Sequence, residues 1–222
     1  MSDKITFEDI KNSIEIRTYI KQADASLQAL GFTEHSFAHV TKCAEIAGRL
    51  LHDLGYSDHQ VDLVKIAAYM HDIGNVVNRV DHAQSGAVMA FRLLDKMGMP
   101  PEDTAAIVTA IGNHDEKTAF PVNAIAAALI IADKTDVRRS RVRNKETIHT
   151  DIHDRVNYAV EKSEIILDKE DKSITLYLTI DTTISAVMDY FEIFIDRMLL
   201  CRKAAEFFDL EFKLNMNGNA LL

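Results

Sequence analysis

Two cysteines, Cys43 and Cys201, are too few for a disulfide framework or a cysteine-rich zinc site, and both lie inside apolar helical patterns. They fit a reducing compartment. Tryptophan is absent, and three prolines and eight glycines in 222 residues leave little room for loop-rich or low-complexity structure. No run of about 18 or more apolar residues occurs, so no membrane-spanning helix is expected, and the opening MSDKITFEDIKNS lacks the apolar core of a signal peptide. Basic residues are also scarce. The 25 Lys and Arg stand against 34 Asp and Glu, a formal charge of -9. A field of that sign repels polyanions, so neither general nucleic-acid binding nor a basic membrane face is expected. What remains is a cytoplasmic globular protein, with 47% hydrophobic residues to build a core.

Helical periodicity is abundant. Ile10, Ile14, Ile16, Ile20, Leu27 and Leu30 predict an opening helix or helix pair up to Gly31. Phe37, Val40, Cys43, Ala44, Ala47, Leu50, Leu51 and Leu54 form an apolar stripe on a second helix, from about Ser36 to Leu54. A third, Asp58 to Tyr69, has almost no polar face and delivers His71 and Asp72. A fourth starts at Asp81 as N-cap and stops at Gly98; a fifth starts at Pro101 and runs towards His114. A sixth carries the nine-residue apolar run Ala124 to Ala132, too short for a bilayer and so a core helix, ended by Asp133. Beyond about Thr150 the period changes to two. Ile174 to Ile180 reads as a strand, Ile165 to Leu167 as its hairpin partner, Thr183 to Phe208 as a helix and Leu210 to Met216 as a third strand. The expected fold class is mainly α: a helical bundle over 1–150 with a small C-terminal ββαβ (α+β) subdomain over 151–222. Because the Thr183 to Phe208 helix is apolar on more than one face, the subdomain is expected to pack on the bundle or on a second subunit, as a homodimer would.

Four His-Asp dipeptides occur: His52-Asp53, His71-Asp72, His114-Asp115 and His153-Asp154. The first and last sit in polar surroundings and read as surface pairs. His71-Asp72 follows the apolar KIAAYM and precedes Ile73-Gly74, where burying a carboxylate is costly unless a cation or hydrogen bonds compensate it. Asp133, behind its apolar run, is a second carboxylate driven inwards. His39, His82 and His114 lie on or beside three further helices, and a bundle builds metal sites from side chains on facing helices. Each of them alone is more often structural than ligating. Their joint occurrence is the signal.

The ordered series His39, His71-Asp72, His82, His114, Asp133 resembles the His, His-Asp, His, His, Asp pattern of HD-domain phosphohydrolases, and the resemblance covers roughly Glu34 to Arg143. AAYMHDIGN is similar to the family's hydrophobic-HDIG segment, His82 with Gly86 to its next block, and IIADKTD to its terminal Asp block. For the first ligand His35 competes with His39, and Cys43, Ala44 and Ala47 behind His39 favour the latter. The chain has His114-Asp115-Glu116 where binuclear relatives often show His-His-Glu and lacks the Gly-Tyr-Pro that follows, which weighs against cyclic di-nucleotide hydrolysis. Asn75 stands where several relatives carry Lys, His or another polar residue.

The resemblance implies an HD-domain bundle and a metal-dependent phosphohydrolase, a phosphomonoesterase or phosphodiesterase acting on a nucleotide or small phosphorylated metabolite through a metal-bound hydroxide. In that reading His39, His71, Asp72 and Asp133 hold one ion, and His82 and His114 a second that shares Asp72. Imidazole and carboxylate donors suit Mn, Fe, Co, Ni or Zn, as one ion or two. Asp72 and Lys134 are the candidate catalytic groups. Lys134, Arg138 and Arg141, from a basic run in an otherwise acidic chain, are candidates for the substrate phosphate, although surface basic residues are often mere solvated ion pairs. Two alternatives stay open: an HD-type di-iron oxygenase, and a nucleotide-binding regulatory module without catalysis.

Overall fold

Capping chemistry sets where the helices begin. In the computed structural model, which describes residues 5–221, Thr6 and Asp9 form a reciprocal capping box at the start of α1 (Phe7–Asn12). The hydroxyl of Ser13 caps α2 (Ile14–Ala29), so the opening apolar pattern resolves as a helix pair. Ser36 caps α3 (Phe37–Asp53), and Ser57 with Gln60 boxes the start of α4 (Asp58–Met70). A 3-10 turn, Ile73–Val76, leads towards α5 (His82–Met97). Asp81 does precede α5, but its backbone is left-handed with φ of 57° and its side chain makes no capping bond, which corrects the N-cap expected of it. Pro101 opens α6 (Pro101–Gly112), where a missing N–H costs nothing. Asn123 accepts from the Ala126 N–H at the entry to α7 (Ala124–Lys134).

The chain divides into two compact units, Met1–Asp133 and Lys134–Leu222. Ser163 donates to the Thr135 carbonyl and Arg139 to that of Tyr158, which ties the segment after Asp133 to the second unit. In the first unit α3 packs on α4, α5 on α6, and the Ile73–Val76 turn lies against both α2 and α5. α4 is buried nearly all round, from Val61 to Met70, as its lack of a polar face requires. In α7 every residue from Ile125 to Ala132 is buried.

The second unit contains α8 (Ile152–Ala159) and a four-stranded sheet in the order β1-β2-β3-β4, where β1 is Val160–Asp168, β2 Ser173–Ile180, β3 Glu211–Met216 and β4 Asn219–Ala220. β1 and β2 form the expected antiparallel hairpin. The crossover through α9 (Val187–Glu206) then brings β3 parallel to β2. Ile174, Leu176, Leu178 and Ile180 are buried, as are Phe212, Leu214 and Met216, so the period-two pattern fills one face. β4 extends the expected ββαβ order. Asn217 and Gly218 both take positive φ, 52° and 83°, as a two-residue hairpin turn demands, and return the chain along β3. Among the described residues no helix is long and apolar enough to cross a membrane.

Candidate metal centre

Three histidines share one local device. Nδ1 of His71 lies 2.8 Å from the Ala68 carbonyl, that of His82 3.1 Å from the Arg79 carbonyl, and that of His114 2.6 Å from the Ile111 carbonyl, each three residues back. A carbonyl only accepts, so Nδ1 must carry the proton and Nε2 is left with its lone pair turned the other way. These Nε2 atoms meet the carboxylates. That of His71 is 3.3 Å from Asp72 Oδ2 and 3.7 Å from Asp133 Oδ1; that of His82 is 3.5 Å from Asp72 Oδ1. His39, from α3, places Nε2 3.3 Å from Asp133 Oδ1 and 3.8 Å from Asp72 Oδ2. The rings of His39, His71, His114 and His82 follow one another edge to face, with centroids 4.9 to 5.2 Å apart.

Close packing of backbone brings these pieces together. A Cβ on Gly74 would lie 2.0 Å from the His82 carbonyl oxygen and 2.4 Å from the Gly86 nitrogen, while one on Gly86 would lie 3.2 Å from the His71 carbonyl oxygen. The two glycines let the turn after Asp72 touch the first turn of α5, and that contact sets His82 beside Asp72.

Two carboxylates buried this deeply call for positive charge beside them. His39 and His71 are fully buried, and Asp72 and Asp133 are nearly so. His71 Nε2 is buried without an aligned hydrogen bond. His82 and His114 set their Nε2 atoms 3.2 Å apart, and with both Nδ1 atoms donating to carbonyls two neutral rings would oppose lone pair to lone pair. Protons supply part of the missing charge. Burial works against the charged form of His71, but the carboxylates of Asp72 and Asp133 outweigh it and its pKa is raised. Burial likewise opposes ionisation of Asp72, yet His71 and other imidazoles hold its carboxyl well below the usual range. A divalent cation does the same work. Donors about 2.0–2.2 Å from one ion lie roughly 3.0–3.6 Å from each other, and the shortest separations here fall in that interval. The ligand atoms form overlapping groups, among them His39, His71 and Asp72; His71, His114 and Asp133; and Asp72, His82 and His114, each within 4.8 Å. The donor set fits a divalent metal, with Asp72 common to two groups.

The remaining expected residues are placed as follows. His35 lies beside His39, ring centroids 5.5 Å apart, with its Nδ1 2.7 Å from the Thr33 carbonyl, and belongs to none of the ligand groups. Lys134 closes α7 and is buried. In the second unit Arg138 donates to Asp136 Oδ1 at 3.0 Å, and the buried Arg141 donates to the Asp136 carbonyl at 2.8 Å. His52, Asp53 and His153 are well exposed, as expected. Asp154 is not: it is buried and accepts from the Thr147 hydroxyl, which corrects its reading as surface.

Three further residues stand at the centre: Asn75, which in the sequence marks a departure from the family pattern, and Cys43 and Arg79, which carry no functional signal there. Cys43, one helical turn after His39, has its sulfur 3.6 Å from His39 Nδ1 and groups with His39 and Asp133 as a ligand set. Asn75 Nδ2 donates to Asp72 Oδ1 at 2.9 Å, and Arg79 Nη1 lies 3.3 Å from both Asn75 Oδ1 and His82 Nε2. Asn75 directly follows the His-Asp-Ile-Gly segment, whereas nothing periodic marks Arg79 in its loop.

The HD domain family model matches residues 36–192. The uncharacterized protein MJ1020 of Methanocaldococcus jannaschii is 24% identical over 162 residues, 63% of this chain; the match spans 62% of that relative's length. The crystal structure of a predicted HD superfamily hydrolase from an uncultured Thermotogales bacterium is 26% identical, with a TM-score of 0.45, covering 56% of this chain and 67% of that one.

Proposed function

Because the chain belongs to the HD-domain family, we propose that it is a metal-dependent phosphohydrolase acting on a nucleotide or another small phosphorylated molecule. The observation that carries this reading is the convergence of four imidazoles and two carboxylates, drawn from α3, the end of α4, α5, the end of α6 and α7, on shared ligand distances. His39, His71, Asp72 and Asp133 would hold one ion, and Asp72, His82 and His114 a second. The chemistry contributed by such ions is Lewis-acid charge and acidification of water towards a pKa of about 7.

The protein's own residues supply position. Carbonyls fix the tautomers of His71, His82 and His114, and Asn75 fixes the outer oxygen of Asp72. Asp72 is the central group, since its two oxygens face different imidazoles, Oδ2 that of His71 and Oδ1 that of His82, and it would belong to both ligand sets. Lys134, one residue beyond Asp133, belongs to the proposal as a cation for the phosphate, with Arg138 and Arg141 in the same basic run. The experiment is a screen of phosphomonoesters and phosphodiesters with Mn, Fe, Co, Ni or Zn, wild type beside Asp72→Ala. Metal-dependent release of phosphate by the wild type and loss of at least about 10³-fold in the variant are expected. A variant as active as the wild type would refute the reading.

A further inference from the structure

Arg79 lies in the short segment between the Ile73–Val76 turn and α5, in no helix or strand. Its guanidinium is held along one edge. Nη1 is 3.3 Å from Asn75 Oδ1, 3.3 Å from His82 Nε2 and 3.9 Å from Asp72 Oδ1, while the guanidinium carbon stands 5.5 Å from the centre of the Phe32 ring. Every one of those polar contacts uses Nη1. Nε and Nη2 engage no protein acceptor among the described residues, and 29% of the side chain is exposed against 8% for Asp72 and 3% for His82. The arrangement is a planar cation anchored beside a candidate ligand at one nitrogen, on a part-exposed side chain whose other guanidinium nitrogens engage no protein acceptor among the described residues.

That is the geometry by which arginine takes a phosphate: two parallel N–H donors and a charge that does not titrate away. Asn75 makes the placement specific, because its amide nitrogen is spent on Asp72 and its carbonyl oxygen is left to orient Arg79. Arg141, by contrast, is 4% exposed and bonded to Asp136. We propose that Arg79 is a substrate-binding residue that receives the non-bridging oxygens of the substrate's phosphate beside Asp72 and His82. The inference rests on the phosphohydrolase reading and adds to Lys134 a second cation for the phosphate, one placed beside the candidate ligands themselves.

The test uses the metal-loaded protein with inorganic phosphate as probe, followed by titration calorimetry, together with metal content and kcat/KM on whichever phosphoester the wild type cleaves. Arg79→Met is expected to keep its metal, to bind phosphate at least about 10-fold more weakly and to lose about 10²-fold in kcat/KM, the usual scale for one donor to developing charge. Arg79→Lys should fall between, having charge but no fork, and Arg92→Met, an exposed arginine on α5, should behave as wild type. Unchanged phosphate affinity and kcat/KM in Arg79→Met would overturn the proposal and leave the hydrolase reading standing. Loss of metal from that variant would also overturn it, by making Arg79 a support of the metal ligands. A metal-loaded wild type that neither binds phosphate nor cleaves any ester would overturn the hydrolase reading itself.

Discussion

A histidine whose Nδ1 is tied to a carbonyl has only Nε2 to offer, and in this chain His71, His82 and His114 are all tied that way. Proton and metal therefore compete for the same atom. His71, with its pKa raised by Asp72 and Asp133 against the pull of burial, stabilises the metal-free fold fully below its ordinary value of about 6.5 and loses that contribution as pH rises through the raised one. Asp72, held low, contributes above about 3.9 and loses it as pH falls through its depressed value. In chelator, the melting temperature is thus expected to fall as pH climbs past the raised pKa of His71. Metal affinity should move the opposite way and rise over the same interval, because the ion must displace the proton. Thermal melts with and without chelator across that range check both signs; parallel curves would contradict them. Burial beside apolar runs such as KIAAYM alone did not decide it, but that His39, His71, Asp72, His82, His114 and Asp133 come together was legible from their joint occurrence in one ordered series. Arg79 and Cys43 were not. Nothing periodic marks a loop arginine, and a cysteine in an apolar stripe reads as packing.

Among the elements, the contact between the Ile73–Val76 turn and α5 is the one the centre depends on. Gly74→Ala would drive a methyl into the backbone of His82 and Gly86, where neither a rotamer change nor a flexible neighbour relieves it. It is expected to cost about 1–3 kcal/mol or more and to weaken metal binding with it. Gly112→Ala is the control, since its methyl meets the Ala87 Cβ at 3.6 Å, an ordinary contact. Denaturant unfolding and metal titration of the two variants separate a local packing demand from general glycine loss. Element types were readable wherever a single period dominated, as in α3 or β2. What was missed had weak patterns. β1 starts at Val160, well before the expected Ile165, because Glu161, Lys162 and Glu164 hide its alternation and an irregularity interrupts its pairing between Val160 and Lys162. β4 is two residues long and is specified by the Asn217-Gly218 turn more than by its own sequence.

At the scale of the whole molecule, all six candidate ligands fall in the first unit, Met1–Asp133, and the sheet belongs to the second. An ion bound only by the folded state stabilises by mass action, about 4 kcal/mol at a thousandfold excess over Kd. Chelation is therefore expected to accelerate amide exchange in α3, α4 and α5 and to leave β1, β2 and β3 unchanged, as hydrogen-exchange mass spectrometry can read. Uniform acceleration would show that the units do not respond separately. The change from period 3.6 to period 2 was legible in the sequence, whereas the hydrogen bonds that tie residues 135 and 139 to the strand and helix after them have no periodic signature. The most direct test of the centre is metal quantification on purified wild type, Asp72→Ala, Asp133→Ala and the exposed His153→Ala. The account predicts at least one divalent ion per chain in the wild type and His153→Ala, and almost none in the two aspartate variants. Equal metal in all four would contradict it.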